Sequence, residues 1–511
     1  MGIQESHRND ATTSPRLRKR ALDSDVDVLT HANVHVNGVS DSATQCNAEE
    51  DALAVLSLRN ILFDICAQNG GGHGGSAIGM AAIGVALFKY AMRYNSSNPD
   101  WFDRDRFVLS NGHAAMFLYA LNHLVGFDAW SMGELKGYGS AKLNGFTTLC
   151  HAHPEIEVPG VEVTTGPLGQ GIANSVGLAI ASKNLAARFN KPGHDVVRSR
   201  IYCISGDGCL MEGVALESIA LAGHLQLDNL VLIYDNNQVT CDGPLSWINT
   251  EDINAKMRSC GWAVMEIADG CHDVSGIVSA LDAAKTIRGR PTFINIRTVI
   301  GLGTSVAGTY KAHHGVFDAD SVTKSKRAAN LDPTQTHQIP EQALSYFRER
   351  KTYGEEINRQ WDAVVERYAI EHPDLSTEFA DRRKGGILKS VFDALDAIDI
   401  TSMGKQATRQ SSGMIMEKLW PVCKALCGGG ADLVNSNMIY QSATDCFLPE
   451  HYAGRYIRYG IREHAMASIS NGIAAYSPGT FVPITATFMM FYLYVSHLNL
   501  HLTVLSSVTQ Q

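Results

Sequence analysis

Short apolar segments that each run into a turn of glycine, asparagine or aspartate, with helix-length stretches between them, constrain this chain more than any other feature. Arg106-Phe107-Val108-Leu109-Ser110 ends at Asn111-Gly112-His113. Arg200 is followed by Ile201-Tyr202-Cys203-Ile204, which enters Gly206-Asp207-Gly208. Leu230-Val231-Leu232-Ile233-Tyr234 ends at Asp235-Asn236-Asn237, and Thr292 to Arg297 is a further segment of the kind. Helices are expected over 51–68, from Ser76 to Tyr90 and over 211–224, with Asn69 to Gly75 as a sharp loop. Strands that alternate with helices predict a parallel sheet with helices on both faces. Ligands of such sheets sit outside the carboxyl ends of the strands, where all three polar turns fall.

Around this core the chain divides by composition. Residues 1–47 are polar, carry a basic cluster from Arg16 to Arg20 and read as a disordered arm. Residues 48–330 form the first α/β unit. Residues 331–400 are richer in charge, with helical patterns from Glu341 to Arg350 and Gly354 to Tyr368, and read as a helical connector packed on the surface. A second α/β unit occupies 401–511. With 511 residues, 45% apolar and 19% charged, the chain can build two or three domains with large cores. A net charge of −9 argues against nucleic acid as a partner, since phosphate backbones need a basic face. The 11 cysteines are scattered, and the N-terminus has no apolar signal core, which suggests a reducing compartment. Cys423 and Cys427 lie in a helix-like run, too weak a pattern for a zinc site.

The chemistry concentrates at the strand ends. A metal-bound diphosphate needs a few hard oxygen ligands. Asp207 supplies a carboxylate from one strand end, Asn237 an amide oxygen from another, and the backbone carbonyl near Val239 a third. Gly206 and Gly208 let backbone amides approach phosphate oxygens. His73, His113 and His153 lie in loops beside glycine or proline, which favours exposure at strand ends.

Ser110 to His113, Val161 to Gly171, Gly206 to Leu210 and Tyr459 to Met466, in that order, resemble the motifs of the transketolase family. Gly75 to Met80, Gly177 to Leu185 and Phe481 to Tyr494 resemble its formaldehyde-using branch, the dihydroxyacetone synthases. The resemblance covers about 51–494 and implies a thiamine diphosphate-binding α/β fold: a complete diphosphate-binding domain followed by an incomplete pyrimidine-binding domain, with the third domain absent. It implies thiamine diphosphate as cofactor, with Mg²⁺ (or Ca²⁺ or Mn²⁺) held by Asp207, Asn237 and Val239. It further implies a two-carbon ketol transfer from a ketose phosphate, such as xylulose 5-phosphate, to an aldose phosphate or formaldehyde. Glu463 matches the glutamate that hydrogen-bonds the aminopyrimidine, reaching it from the second subunit of a homodimer, with Glu212 supporting it across the interface. Gly166 and Leu168 match positions near the cofactor rings. Phe488, Phe491 and Tyr494 match the aromatic pyrimidine pocket. His73, His113 and His153 match histidines that contact the diphosphate, the substrate's donor hydroxyls or the reacting carbonyl, and His314 matches one that can move protons, the choice between His313 and His314 staying open. Arg409 and Ser436 match sugar-phosphate contacts.

The sequence also departs from the family. His73-Gly74-Gly75 stands where a central proline is usual, which loosens the expected hold on His73. After Tyr494 the family pattern is expected to stop. No Asp, Glu, Lys or Arg occurs from Ala465 to Gln511, and 481–508 reads as orphaned core rather than a membrane anchor. A cytoplasmic location is expected: the chain ends Val508-Thr509-Gln510-Gln511, without the peroxisomal tripeptide of many dihydroxyacetone synthases. The alternative reading is a non-catalytic homologue that binds cofactor or a full-length partner.

Overall fold

The computed structural model describes residues 46–488 apart from 140, 143, 144, 147 and 441–444. The expected arm, save Cys46 and Asn47, and everything after Phe488 therefore lie outside the described residues. Five strands form the expected parallel sheet: β1 (Arg106–Leu109), β2 (Ile201–Gly206), β3 (Leu230–Asn236), β4 (Ala263–Ile267) and β5 (Thr292–Arg297), in the order β1-β2-β3-β5-β4. β4 is the strand that sequence patterning missed; it is an edge strand, only half-buried along its length.

Strand alternation sorts the central side chains onto two cores. Tyr202, Ile204, Val231, Ile233, Ile294 and Ile296 face one side, against helix α1 (Ala48–Gln68) and the segment from Gly74 to Ala91. Ile201, Cys203, Leu230, Leu232, Tyr234 and Phe293 face the other. Each fully buried aliphatic side chain contributes on the order of 1.5–3 kcal/mol, and slipping one strand by a residue would move its side chains to the wrong core.

Local rules account for several element ends. α1 begins three residues before its expected start because the Asn47 side chain accepts the Glu49 and Glu50 amides and acidic residues fill the first turn. The expected loop ends early, at helix α2 (Gly74–Gly79). The expected single helix up to Tyr90 is instead three pieces: α2, Ala81–Val85 and a π-turn over Ala86–Ala91. This stretch packs backbone to backbone. A Cβ at Gly75 would lie 2.0 Å from the Ala312 carbonyl oxygen, and one at Gly79 2.7 Å from that of Val299.

Helices α3 (Gln170–Phe189) and α4 (Gly213–His224) cover the second face. The two helical patterns expected in the connector are one helix, α5 (Glu341–Glu371). Gly354 sits inside it because a Cβ there would lie 2.4 Å from the Tyr94 carbonyl oxygen. Tyr346 and Phe347 of α5 are buried in the first core, Trp361 and Tyr368 in the second. Beyond the connector, β6 (Leu426–Gly430) pairs in parallel with β7 (Val482–Ala486), and helix α6 (Glu463–Ala475) lies between them in sequence. The helix-like run expected to hold both cysteines breaks: the backbone turns extended at Cys423, and Cys427 lies in β6, both thiols buried. Among the described residues no helix is long and apolar enough to cross a membrane.

α6 packs on α3 through glycines. A Cβ at Gly177 would lie 2.0 Å from the Ile469 carbonyl oxygen, and one at Gly472 2.0 Å from that of Asn174. Gly177→Val is therefore expected to lower the thermal unfolding midpoint by several degrees, an overpacking cost of about 1–3 kcal/mol. Gly213→Ala, with open space around its added methyl, is expected to leave the midpoint within about one degree in the same calorimetric scan.

Candidate active site

Register places the site. Gly206 pairs with Asp235 across β2 and β3, so Asp207 and Asn237 emerge side by side from adjacent strands. Asp207 is buried. One carboxylate oxygen accepts the Tyr234 hydroxyl and the other is buried without a partner. Burial pushes the Asp207 carboxyl up to about 7; the Tyr234 hydrogen bond opposes this shift and the Asp235 carboxylate adds to it. Asn237 is held at both ends of its amide: Nδ2 donates to Asp235 Oδ2 at 3.0 Å and Oδ1 accepts the Val239 amide at 3.0 Å.

Asp235, at zero exposure, organises the surroundings. Besides Asn237 it accepts Ser76 Oγ at 2.7 Å, from α2, and the Thr298 hydroxyl just past β5. Sequence reasoning placed Asp235 in the turn but gave it no role. The signal was its position, one residue before the double asparagine at a buried strand end.

The loop from Gly166 to Gly169, just before α3, closes over this floor. A Cβ at Gly112 would lie 2.6 Å from Thr165 Oγ1, one at Gly166 3.3 Å from the His153 ring, and one at Gly208 2.8 Å from Leu168. Only at Gly112 is the obstacle backbone, since the added Cβ would also lie 2.9 Å from the Gly166 amide nitrogen. At Gly169 a Cβ would lie 2.7 Å from that of Glu212, in a left-handed backbone (φ 81°).

The histidines form a cluster rather than separate exposed groups. The His73 ring lies 5.1 Å from His113, 5.3 Å from His313 and 4.8 Å from His314, and His113 lies 5.3 Å from His313. All of His73, His113, His153 and His313 are half-buried, which corrects the expectation of exposure. Burial, reinforced by the neighbouring rings, lowers His73 to about 4 and His113 to about 3 and lowers His313 too, and burial alone lowers His153. The adjacent pair now separates. His313 faces both His73 and His113, whereas His314 is exposed and packs on His73 and Gly71. Beside His73, Gly74 is closely packed: a Cβ there would lie 2.4 Å from Cys66 Sγ.

The remaining expected residues sit farther along the chain. Glu463 opens α6, beside Glu217 of α4, whose carboxylate accepts the Ala465 amide at 3.0 Å. Glu217 was not singled out from sequence. His464 meets Gln170 at 2.9 Å, and Gln170 in turn accepts the Ser468 hydroxyl at 2.5 Å. Arg409 is exposed near the start of helix Thr408–Val422, and Ser436 is half-buried in the turn Val434–Asn437. Phe488 is 46% exposed. Phe491 and Tyr494 lie outside the described residues.

Residues 50–387 match the family model "Transketolase, thiamine diphosphate binding domain", and 404–509 match "Transketolase, pyrimidine binding domain". The chain belongs to the transketolase family. The pyrimidine-domain match runs past Tyr494, where the sequence reading had expected the family pattern to stop. The chain is 46% identical over 464 residues to dihydroxyacetone synthase of Pichia angusta, covering 89% of this chain and 65% of that protein. It is 40% identical over 454 residues to transketolase 1 of Saccharomyces cerevisiae, covering 87% and 65%. Transketolase of Pichia stipitis solved with sedoheptulose 7-phosphate superposes with a TM-score of 0.83 at 38% identity, covering 88% of this chain and 66% of that one. The chain thus spans about 65% of the length of the curated relatives it matches.

The transketolase cofactor site can be tested against these residues. The orphaned Asp207 oxygen is a buried anionic acceptor without a partner, which a divalent cation satisfies. Gly206 keeps space beside it, since a Cβ there would meet nothing nearer than 3.9 Å. The residues present fit a metal-bound diphosphate.

The histidine cluster carries a pH signature. Below the ordinary value of 6.5 the unfolded chain takes up protons that His73 and His113 refuse until about 4 and 3. Their contribution to stability is complete above pH 6.5 and is lost as the pH falls toward 4. The midpoint difference between the parent chain and H113Q is expected to shift against the parent over that window. A pH-independent difference in calorimetric scans would contradict the neutral cluster.

Proposed function

We propose that this chain carries out transketolase-type transfer of a two-carbon ketol unit from a ketose phosphate to an aldose phosphate or formaldehyde. The reading rests above all on the buried Asp207 carboxylate, half unpaired, at a strand end beside Asn237, together with the cluster of His73, His113, His313 and His314. Relatives named as dihydroxyacetone synthases and as transketolases, one solved with xylulose 5-phosphate, support the substrate class. When bound, thiamine diphosphate supplies the electron sink that ketol transfer requires.

This chain's residues would divide the work as follows. Asp207, Asn237 and the Val239 carbonyl hold Mg²⁺ (Ca²⁺ or Mn²⁺ in its place), with Asp235 locking the Asn237 amide. Gly166 and Leu168 line the rings. Neutral His73, His113, His153 and His313 can each accept or donate a proton at substrate hydroxyls, because burial keeps them uncharged near pH 7. We assign the mobile-proton role to His313 in place of His314, because only His313 faces both His73 and His113. Arg409 and Ser436 would take the substrate phosphate, Arg409 by a charged fork. Glu463, supported by Glu212, with Phe488, Phe491 and Tyr494, would engage the pyrimidine end from a second copy of the chain in a homodimer. A diphosphate-binding domain over 48–330, a connector over 331–400 and a pyrimidine domain from 401 complete the proposal, with a cytoplasmic location.

With purified full chain, D207N is expected to abolish magnesium-dependent thiamine diphosphate binding by calorimetric titration. Ketol transfer should fall with it, while the unfolding midpoint holds or rises. Retained binding in D207N would remove the cofactor assignment. H313A is expected to lower the transfer rate by about 10²–10⁴-fold, and H314A by less than tenfold. The reverse ranking in a coupled assay would restore His314.

A further inference from the structure

A second cluster of ligand-type side chains lies at the far end of α5, outside the ketol-transfer site. His194, Glu371 and His372 each offer one ligand atom, and these atoms lie within 4.8 Å of one another; among the described residues this is the one such group of histidine, cysteine and carboxylate side chains. The residues come from distant parts of the sequence. His194 closes a tight turn, its amide donating to the Lys191 carbonyl at 2.8 Å and the Lys191 amide returning to the His194 carbonyl at 3.1 Å. Gly193 supplies the left-handed backbone (φ 81°) that the turn needs. Asn190 braces the loop with two side-chain bonds to Val197, each 2.9 Å. Glu371 is the last residue of α5 and His372 its cap, the His372 amide donating to the Tyr368 carbonyl at 2.8 Å. Both ligand-bearing segments are thus fixed by backbone hydrogen bonds before any ion arrives.

The side-chain geometry matches coordination better than hydrogen bonding. His194 is 6% exposed, and its Nδ1 is buried with no partner. Its Nε2 lies 3.5 Å from Glu371 Oε1, long for a hydrogen bond. Two ligands on a tetrahedral zinc ion, with bonds of about 2.0–2.2 Å, stand about 3.4 Å apart. The His194 and His372 rings are 5.6 Å apart at 90°, each beside the Tyr368 ring. Tyr368 is pinned through its hydroxyl to the Phe189 carbonyl at 2.7 Å. Glu371 is exposed, leaving room for water as a fourth ligand.

We propose that His194, Glu371 and His372 bind a borderline divalent transition metal, zinc first, which clips the end of the connector helix to the loop after α3. Two imidazoles and a carboxylate select zinc over magnesium, which prefers an all-oxygen octahedron. The ion would stiffen the join between the first α/β unit and the helix Pro373–Lys384 that follows.

The test uses the full chain, stripped with a chelator and titrated with Zn²⁺ against a chromophoric competitor. One zinc equivalent is expected that H194Q and H372Q each weaken by about tenfold or more and that H73Q/H313Q leaves in place. Zinc is expected to raise the parent's unfolding midpoint by about 3 °C, and that of H372Q by less than one. H372Q alters the partly exposed member, so the test stands even where H194Q fails to fold. No zinc equivalent at micromolar concentration, parental affinity in H372Q, or loss of the equivalent in H73Q/H313Q alone would each overturn the clip.

Discussion

The Asp235 carboxylate sits at zero exposure among donors from three parts of the chain. It receives Ser76 from α2, Thr298 from the end of β5 and Asn237 from its own strand end. A buried carboxylate without partners is costly, so this group forces those elements together in one arrangement. That arrangement aims the Asn237 amide beside Asp207 and leaves one Asp207 oxygen without a protein partner. The candidate site is in this sense a by-product of satisfying a single interior carboxyl group.

Close backbone packing does the rest. The glycines at 75, 112, 166, 208 and 354 each stand where a side chain would strike a neighbouring backbone or a tightly packed side chain. They are positions of approach rather than hinges. The Gly177–Gly472 contact extends the same device to the join between α3 and α6. It sets α6, with Glu463 at its start, against α4 and Glu217.

Much of this was legible in the sequence for definite reasons. β1, β2, β3 and β5 announced themselves because strands buried on both faces are continuous apolar runs, and their polar ends marked the site. The half-exposed edge strand β4 has no such signature, and it was missed. The helix through Gly354 was split because glycine weakens local helical patterning, while the need for glycine there arises from Tyr94, far away in sequence. Asp207 stood out between glycines, Asn237 in a double asparagine after a strand, and three of the histidines beside glycine or proline. Asp235 and Glu217 did not, because their roles depend on partners that sequence order does not reveal.

Residue order alone determined the class of fold, the direction of the sheet and the family, since strand periodicity and short motifs are local properties carried on the chain. Only tertiary structure decided which of two adjacent histidines faces both His73 and His113. It alone showed which carboxylate oxygen lacks a partner, and that His194 meets the end of a helix begun well over a hundred residues later. Those outcomes depend on distances between segments remote in sequence, and such distances exist only once the two cores have packed.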